Sequence, residues 1–155
     1  MSPPSCRLFS LAQGKDACFK TNNINVGTSS CSGQKSCREV SDSTIANDSC
    51  HGNNACKFVQ NSIIHDGSCH GLNTCEAVKN SIIGKGSCTG PRYNDDYDYS
   101  CGGLENITIG NNSCNGGSVY KRGLCYQCKH NVPDNACNEG ITDDMDIHGN
   151  CNYCL

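Results

Sequence analysis

The chain lacks the residues from which most domains of its size build a core. It contains no tryptophan, its aromatic content is 6%, and its hydrophobic content is 35% even with the cysteines counted. Its 17 glycines add no side chain that could be buried. A chain of 155 residues with so little apolar volume needs another source of stability, and covalent cross-links are the first to consider.

The charge and hydropathy patterns argue against two classes of partner, nucleic acids and membranes. The formal net charge is −3 and lysine and arginine form no cluster, which argues against a nucleic-acid or anionic-membrane surface. No apolar run approaches the roughly 20 residues of a membrane span. Residues 1–18 carry neither the basic nor the apolar region of a secretory signal, so export is inferred from cysteine usage alone. We expect no nucleic-acid partner and no membrane insertion.

Cysteine is the residue that the chain has in excess. Sixteen cysteines in 155 residues is a density typical of oxidised, disulfide-built proteins, and the number is even, as full pairing requires. We therefore expect an extracellular or cell-surface location, or the lumen of an oxidising organelle.

The sequence repeats with a period of 19 residues. Three consecutive units, 26–44, 45–63 and 64–82, read VGTSSCSGQKSCREVSDST, IANDSCHGNNACKFVQNSI and IHDGSCHGLNTCEAVKNSI. A fourth unit, 83–108, keeps the same anchors but carries seven extra residues, and a fifth begins at Ile109. About five turns of one repeated unit are present.

Columns of this alignment predict how each unit folds. A β-branched residue recurs once per unit, as expected of an inward-facing strand position, at Val26, Ile45, Ile64, Ile83 and Ile109. Further columns are aliphatic (Val40, Val59, Val78, Leu104) or serine (Ser30, Ser49, Ser68, Ser87, Ser113). A glycine column predicts a corner with positive φ at Gly33, Gly52, Gly71, Gly90 and Gly116. An asparagine column predicts a second corner at Asn23, Asp42, Asn61, Asn80 and Asn106.

These columns predict an all-β fold, a small parallel β-helix or solenoid rather than stacked helix pairs. Helical repeats need 30 or more residues per unit, whereas 19 residues with two corners suit two or three short strands. Turns stacked at about 4.8 Å would share one narrow core. We divide the chain into an N-terminal cap (1–17), a solenoid (18–117, with an insertion at 91–99) and a cysteine-rich C-terminal cap (118–155).

The units resemble those of known repeat families. Because of the motifs SCSGQKSC, SCHGNNAC and SCHGLNTC, residues 18 to about 117 resemble parallel β-helix proteins, and more narrowly the cysteine-rich SCxGxxxC repeat proteins of microalgae. No activity is established for those repeats, so the resemblance implies fold and context only.

Spacing and counting indicate which cysteines pair. Two cysteines six residues apart would lie roughly 20 Å apart in an extended strand, but the glycine between them can close that distance to the 4.4–6.8 Å that a disulfide needs. Pairing down a column is also possible in space, but the first column has five members and cannot pair within itself. The expected pairs are Cys31 with Cys37, Cys50 with Cys56, Cys69 with Cys75, Cys88 with Cys101, and, at the N-terminal end, Cys6 with Cys18.

The C-terminal cysteines leave two alternatives open. If Cys114 pairs with Cys125, four cysteines remain, namely Cys128, Cys137, Cys151 and Cys154. They could form two disulfides or, from the spacing of two CxxC motifs, one zinc site. We favour disulfides that cover the end of the solenoid, and we expect no metal and no cofactor.

The insertion is the first candidate for a partner contact, because it departs from a strict repeat. It gathers three tyrosines and three aspartates, which are Tyr93, Asp95, Asp96, Tyr97, Asp98 and Tyr99. Such aromatics suit a protein interface, such oxygens suit calcium, and a solvated loop is the plain alternative.

Weaker candidates are two histidines and three glycosylation sequons. His51 and His70 occupy equal positions in adjacent turns, about 5 Å apart, where they could hold a metal ion or simply face solvent. Sequons begin at Asn47, Asn106 and Asn111, and Asn106 would be blocked if the asparagine column were internal.

No catalytic constellation is recognisable in the sequence, since the histidines are scattered and no pair of carboxylates recurs. We expect a non-catalytic structural or interaction protein, in which a rigid rod of about 25 Å serves as accessory subunit or surface component of a larger assembly. An ice-binding or carbohydrate-binding solenoid is the alternative. Ice binding is disfavoured by the charged and irregular positions Arg38, Glu39, Lys57, Phe58, Glu76 and Lys79.

Overall fold

The computed structural model describes residues 14–90, 100–116, 125 and 128–138. Within them the chain forms one parallel sheet whose five strands follow one another in chain order. The strands are β1 Asn25–Val26, β2 Thr44–Ile45, β3 Ile63–Ile64, β4 Ile82–Ile83 and β5 Thr108–Ile109. Paired residues are 19 apart along β1 to β4, and 26 apart between β4 and β5. The all-β solenoid predicted from the repeat is confirmed, and no helix occurs among these residues.

The stack of turns continues past its expected end. Val132 forms a parallel bridge with Ile109 of β5 and is buried. The amide of Cys114 donates to the carbonyl of Ala136, as the amide of Cys88 does to Ser113 one turn earlier. Residues 131–138, which the sequence places in the C-terminal cap of 118–155, therefore belong to a further turn of the solenoid.

Each turn has fewer strands than the sequence predicts because the backbone reverses every few residues. Each turn has one two-residue strand and an isolated bridge such as Ser41 to Gln60, not two or three strands. The asparagine corner has φ between 47° and 58°, in agreement with its prediction. The two cysteines of every described disulfide also have positive φ, between 50° and 61°. These left-handed residues end each extended segment before it can lengthen.

The core is a stack of aliphatic side chains, one or two from each turn. The β-branched column of the strands and the aliphatic column that follows the second cysteine both point inward. Their fully buried members are Val40, Ile45, Val59, Ile64, Val78, Ile83, Leu104 and Ile109. One turn alone could bury almost nothing, so the apolar contacts are made between turns.

Glycine is required at the first corner by a close approach of neighbouring turns. Four of the column's five members, Gly33, Gly52, Gly71 and Gly116, have φ between 103° and 136°. A Cβ added to Gly52 would lie 2.2 Å from the carbonyl oxygen of Gly71, and one on Gly33 would lie 2.3 Å from that of Gly52. Gly14 meets Gly33 in the same way, so the column begins one turn before the sequence predicts. Here the backbones themselves pack against each other.

Disulfides join the two sides of this glycine corner. They are Cys31–Cys37, Cys50–Cys56, Cys69–Cys75, Cys88–Cys101 and Cys114–Cys125, with Cα–Cα distances of 5.5–5.9 Å. The first four are the pairs that the spacing predicts, including the one that spans the insertion, and the fifth is the pairing that was considered for Cys114. Cys18 is also disulfide-bonded, whereas Cys6, its expected partner, lies outside the described residues. The braces therefore lie within turns, and hydrogen bonds and packing join one turn to the next.

The serine column forms a buried ladder between turns. Ser68 is typical of it, because its hydroxyl donates to the carbonyl of Gly84 (2.7 Å) and accepts from the amide of Ser87 (3.4 Å). Similar bonds recur at Ser30, Ser49, Ser87 and Ser113. A buried hydroxyl must have its bonds satisfied, and here the next turn satisfies them. The hydroxyls of this column are thus buried and hydrogen-bonded.

Candidate functional site

The inserted segment 91–99, with Tyr93, Asp95, Asp96, Tyr97, Asp98 and Tyr99, lies outside the described residues. Its base is described. The amide of Gly90, before the insertion, donates to the carbonyl of His70 (2.7 Å), and the carbonyl of Ser100, after it, accepts from Cys75 (2.9 Å). The insertion therefore leaves and re-enters a turn that keeps the hydrogen bonds of its neighbours.

The outward side of the five-stranded sheet is a second surface of note, and we call it the sheet face. It is made by the first residue of each strand, namely Asn25, Thr44, Ile63, Ile82 and Thr108. Ile63 and Ile82 are 42% and 41% exposed and lie side by side in β3 and β4. The next outward column includes Lys79 and Glu105, which are exposed and paired in a parallel bridge. Side chains on this side of the sheet are thus evenly spaced, and they include apolar, polar and charged residues.

His51 and His70 lie at the corner that carries the first cysteine, and together with Asp48 they form what we call the histidine corner. The two histidines form a parallel backbone bridge, and their ring centroids are 4.7 Å apart, close to the predicted 5 Å. Nε2 of His70 is 2.7 Å from the carbonyl oxygen of Asp48. Nε2 of His51 is 3.1 Å from a carboxylate oxygen of Asp48, yet it is buried and has no hydrogen-bond partner of acceptable geometry.

Ser32 completes a chain of contacts that the sequence did not reveal. Its hydroxyl forms a short hydrogen bond with Nδ1 of His51, whose other nitrogen faces Asp48. A serine, a histidine and an aspartate are thus in contact in the order of a hydrolase triad. The ring is reversed, however, because a triad directs Nε2 to the serine and bonds Nδ1 to the carboxylate. The 3.1 Å contact of Nε2 with Asp48 also lacks the geometry of a hydrogen bond.

Four of the charged residues that disfavour an ice-binding surface have charged partners, namely Arg38, Glu39, Lys57 and Glu76. Lys57 lies 3.3 Å from a carboxylate oxygen of Glu76 in the next turn. Arg38 lies 3.1 Å from Glu39 and stacks over the ring of Phe19 at 5.4 Å. The Lys57–Glu76 and Arg38–Phe19 contacts join side chains of successive turns.

The three sequon asparagines are exposed. Asn106 has φ of 58° in the asparagine column, which lies on the outside of the solenoid, so the internal ladder that would have blocked it is not formed. The amide oxygens of Asn47 and Asn111 accept the backbone amides of Thr28 and Lys85, each at 2.8 Å. These side chains thus bond to the preceding turn on the surface.

Cys128 and Cys137, two of the four residues considered for zinc, are each disulfide-bonded. A cysteine in a disulfide offers no thiolate to a metal ion. Cys151 and Cys154 lie outside the described residues. Within the residues that are described, no cysteine is free.

Fold and surface together define a class of protein, the parallel β-solenoid braced by a disulfide within the turn. Residues 10–119 match a family described as a domain of unknown function, DUF7640, and the chain belongs to this family. No curated protein and no solved structure matches the chain. In the part of the chain that the structure describes, no helix is long and apolar enough to cross a bilayer.

Proposed function

We propose that this member of the family is a non-catalytic structural and interaction protein, an accessory subunit or surface component of a larger assembly. The disulfides place it in an oxidising environment. Within that range we propose the cell surface or the extracellular space, with the lumen of an oxidising organelle as the alternative.

One observation carries the proposal: the five turns with a described disulfide are braced twice, by that disulfide and by backbone hydrogen bonds to the neighbouring turn. Between β2 and β3 alone, the amides of Thr44 and Ala46 donate to Ser62 and Ile64 at 3.0 and 2.8 Å. The same pattern recurs through the turn of residues 131–138. Outward side chains are consequently held at a fixed step of about 4.8 Å, which suits a rod that presents contacts.

The contact surface that we propose is the insertion, residues 91–99. Tyrosine contributes a large contact area at low entropic cost and is enriched in interfaces, and three of the nine residues are tyrosine. The base of the insertion supports this role, because Cys88–Cys101 and the bonds of Gly90 and Ser100 anchor both of its ends to the rod. A rigid base lowers the cost of ordering a contact loop.

Replacing the insertion tests the proposal. In sister turns three residues separate the corner glycine from the second cysteine, so residues 91–100 are replaced by the Leu72-Asn73-Thr74 segment of the preceding turn. The variant should fold and keep its disulfides. In the native source, the wild-type chain is expected to sediment with an assembly well above its own 16.5 kDa, and the variant is expected as monomer.

A matched control alters the sheet face instead. Ile63→Thr and Ile82→Thr introduce the residue that Thr44 and Thr108 already place in that column, and this double variant should remain in the assembly. A wild-type chain that sediments as a monomer would contradict the proposal. Labelling of Ser32 by a serine-directed fluorophosphonate, measured on the intact chain, would overturn its non-catalytic part.

An ice-binding solenoid is the second candidate, and the sheet face is the observation in its favour. Four of its five residues are threonine or isoleucine, evenly spaced on a parallel sheet. Against it stand the charges of Lys79 and Glu105 in the neighbouring column. Thermal hysteresis at millimolar concentration that disappears in Thr44→Lys distinguishes this function from the scaffold.

A further inference from the structure

We propose that the histidine corner, Asp48, His51 and His70, binds one divalent transition-metal ion of the zinc type. This goes beyond the scaffold role and does not depend on it. One nitrogen from each histidine and a carboxylate oxygen of Asp48 all lie within 4.8 Å of one another. No cysteine takes part, so the site is compatible with the oxidised state of the chain.

The donor set selects the class of ion. Two imidazole nitrogens and one carboxylate oxygen suit zinc and its neighbours in the first transition series, whereas calcium and magnesium prefer sites made of oxygen alone. Three protein ligands around a tetrahedral ion leave one position for water or for a group from outside the chain.

Small side-chain movements would close the site around an ion. Zinc lies about 2.0–2.2 Å from such ligands, so a tetrahedral ion brings ligand atoms to about 3.4 Å from each other. Nε2 of His51 and Oδ1 of Asp48, at 3.1 Å, are already this close. The carboxylate of Asp48 is 67% exposed and can rotate, whereas the His51 side chain is only 30% exposed and is held by Ser32.

An unsatisfied nitrogen is a separate observation that points to a ligand. Nε2 of His51 is inaccessible to solvent and makes no hydrogen bond, although Oδ1 of Asp48 is 3.1 Å away. A buried polar nitrogen without a partner is costly, and such a group in a native structure calls for an explanation. An ion shared by this nitrogen and the facing carboxylate would satisfy both.

The hydrogen bond made by His70 leaves one of its ring nitrogens free to bind an ion. A carbonyl oxygen only accepts hydrogen bonds, so the contact of Nε2 with the carbonyl of Asp48 (2.7 Å) assigns the proton of His70 to Nε2. Nδ1 then carries the free lone pair. Histidines that bind metals regularly donate their other N–H to a carbonyl or carboxylate, which fixes the ring and raises the basicity of the donor atom.

The repeat supplies substitutions that remove each ligand without disturbing the fold. Ser32 and Thr89 occupy the histidine position in neighbouring turns, so His51→Ser and His70→Thr introduce residues that this corner already accommodates. Asn112 occupies the position of Asp48 and shares its positive φ, 50° against 52°, so Asp48→Asn removes only the charge. His65→Ala is the matched control, because Ala46 occupies that position one turn earlier and His65 lies outside the corner.

The experiment is titration of the tag-free, oxidised full chain with Zn²⁺ alone, by calorimetry and by competition with a chromophoric chelator. We expect one ion per chain, and at least a tenfold loss of affinity in His51→Ser, His70→Thr and Asp48→Asn, with no change in His65→Ala. Co²⁺ should give the visible absorption of a site with nitrogen and oxygen donors, and this absorption should vanish in the same three variants.

Two results would overturn the proposal. One is the absence of saturable one-to-one binding of Zn²⁺ or Co²⁺ by a chain whose circular dichroism shows it to be folded. The other is an affinity in the His51→Ser, His70→Thr double variant equal to that of the wild type, which would assign the binding to other groups.

Discussion

Ile63 and Ile64 are neighbours in one strand, and they represent two regions of the molecule that follow different rules. Ile64 is fully buried and its column is β-branched in every described turn, whereas Ile63 is 42% exposed and its column reads asparagine, threonine, isoleucine, isoleucine, threonine. The interior is uniform because each turn must match the next. The surface has no such constraint. A difference between turns on the surface can therefore indicate function, whereas the interior columns report only the packing of one turn on the next.

Reduction of the buried disulfides should have the largest effect on stability. The five described disulfides, at roughly 2 kcal/mol each, sum to about 10 kcal/mol, comparable with the whole stability of an ordinary domain. We expect complete loss of the far-ultraviolet circular dichroism of the fold in reducing buffer without denaturant. Retention of the native spectrum by a chain whose mass shows all sixteen cysteines reduced would contradict this.

Truncating the two isoleucines separately sharpens the comparison, since residue type and strand are the same. Ile64→Ala removes a buried side chain and leaves a cavity between turns, so it should cost about 3–4 kcal/mol. Ile63→Ala should cost less than about 1 kcal/mol, because much of its side chain is already in water. Denaturant unfolding with disulfides intact measures both, and equal costs would show that the sheet face is covered in solution.

The glycine corner extends the comparison to the backbone. Gly52→Ala places a Cβ 2.2 Å from the carbonyl oxygen of Gly71 and should cost about 2–3 kcal/mol, from the clash and from φ of 129°. Gly67→Asn is its control, because a Cβ on Gly67 meets nothing within 4 Å and asparagine tolerates its φ of 66°. The midpoint of denaturant unfolding should fall in the first variant and stay within error in the second; a similar fall in both would exclude close packing as the reason for glycine.

Among these changes to the interior, removing one hydroxyl from the serine ladder should have the smallest effect on stability. Ser68→Ala leaves the carbonyl of Gly84 and the amide of Ser87 without this partner, at a cost of about 1–2 kcal/mol. Ser29→Ala, at a solvent-exposed serine on the surface, is expected to change stability by less than about 0.5 kcal/mol. If hydrogen exchange at the amide of Ser87 were as slow in Ser68→Ala as in the wild type, the ladder would contribute nothing.

Features that repeat were predictable from the sequence. The period set the register of the sheet, and the recurring valine, isoleucine and serine positions marked the interior. The pairing of Cys88 with Cys101 followed because the insertion separates the two cysteines while leaving one of each kind in the turn. Each of these inferences needed only comparison of equal positions, so it did not depend on the weak propensities of single residues.

Features that depend on one turn or on backbone conformation were not predictable. Cysteine has no preference for positive φ, and the closure of the disulfide across the corner, not the residue type, accompanies that conformation here. The turn of residues 131–138 was missed because proline and alanine replace glycine and serine at Pro133 and Ala136. Asp48 escaped notice because its column also reads serine, glycine and asparagine, although it precedes His51 by only three residues.

The placement of each disulfide within a turn determines how the rod would respond to being pulled at its ends. No described disulfide joins one turn of the stack to another, so turns can peel away singly as their hydrogen bonds break. In each 19-residue turn the disulfide closes a segment with a sequence separation of 6, and this segment cannot extend while the bond is intact. Of the 19 residues in the turn, about 13 can therefore extend. At about 3.5 Å per residue, every detached turn lengthens the chain by about 45 Å instead of about 65 Å. Under load the oxidised solenoid thus extends by one turn at a time, and the disulfide within each turn sets the length of each step.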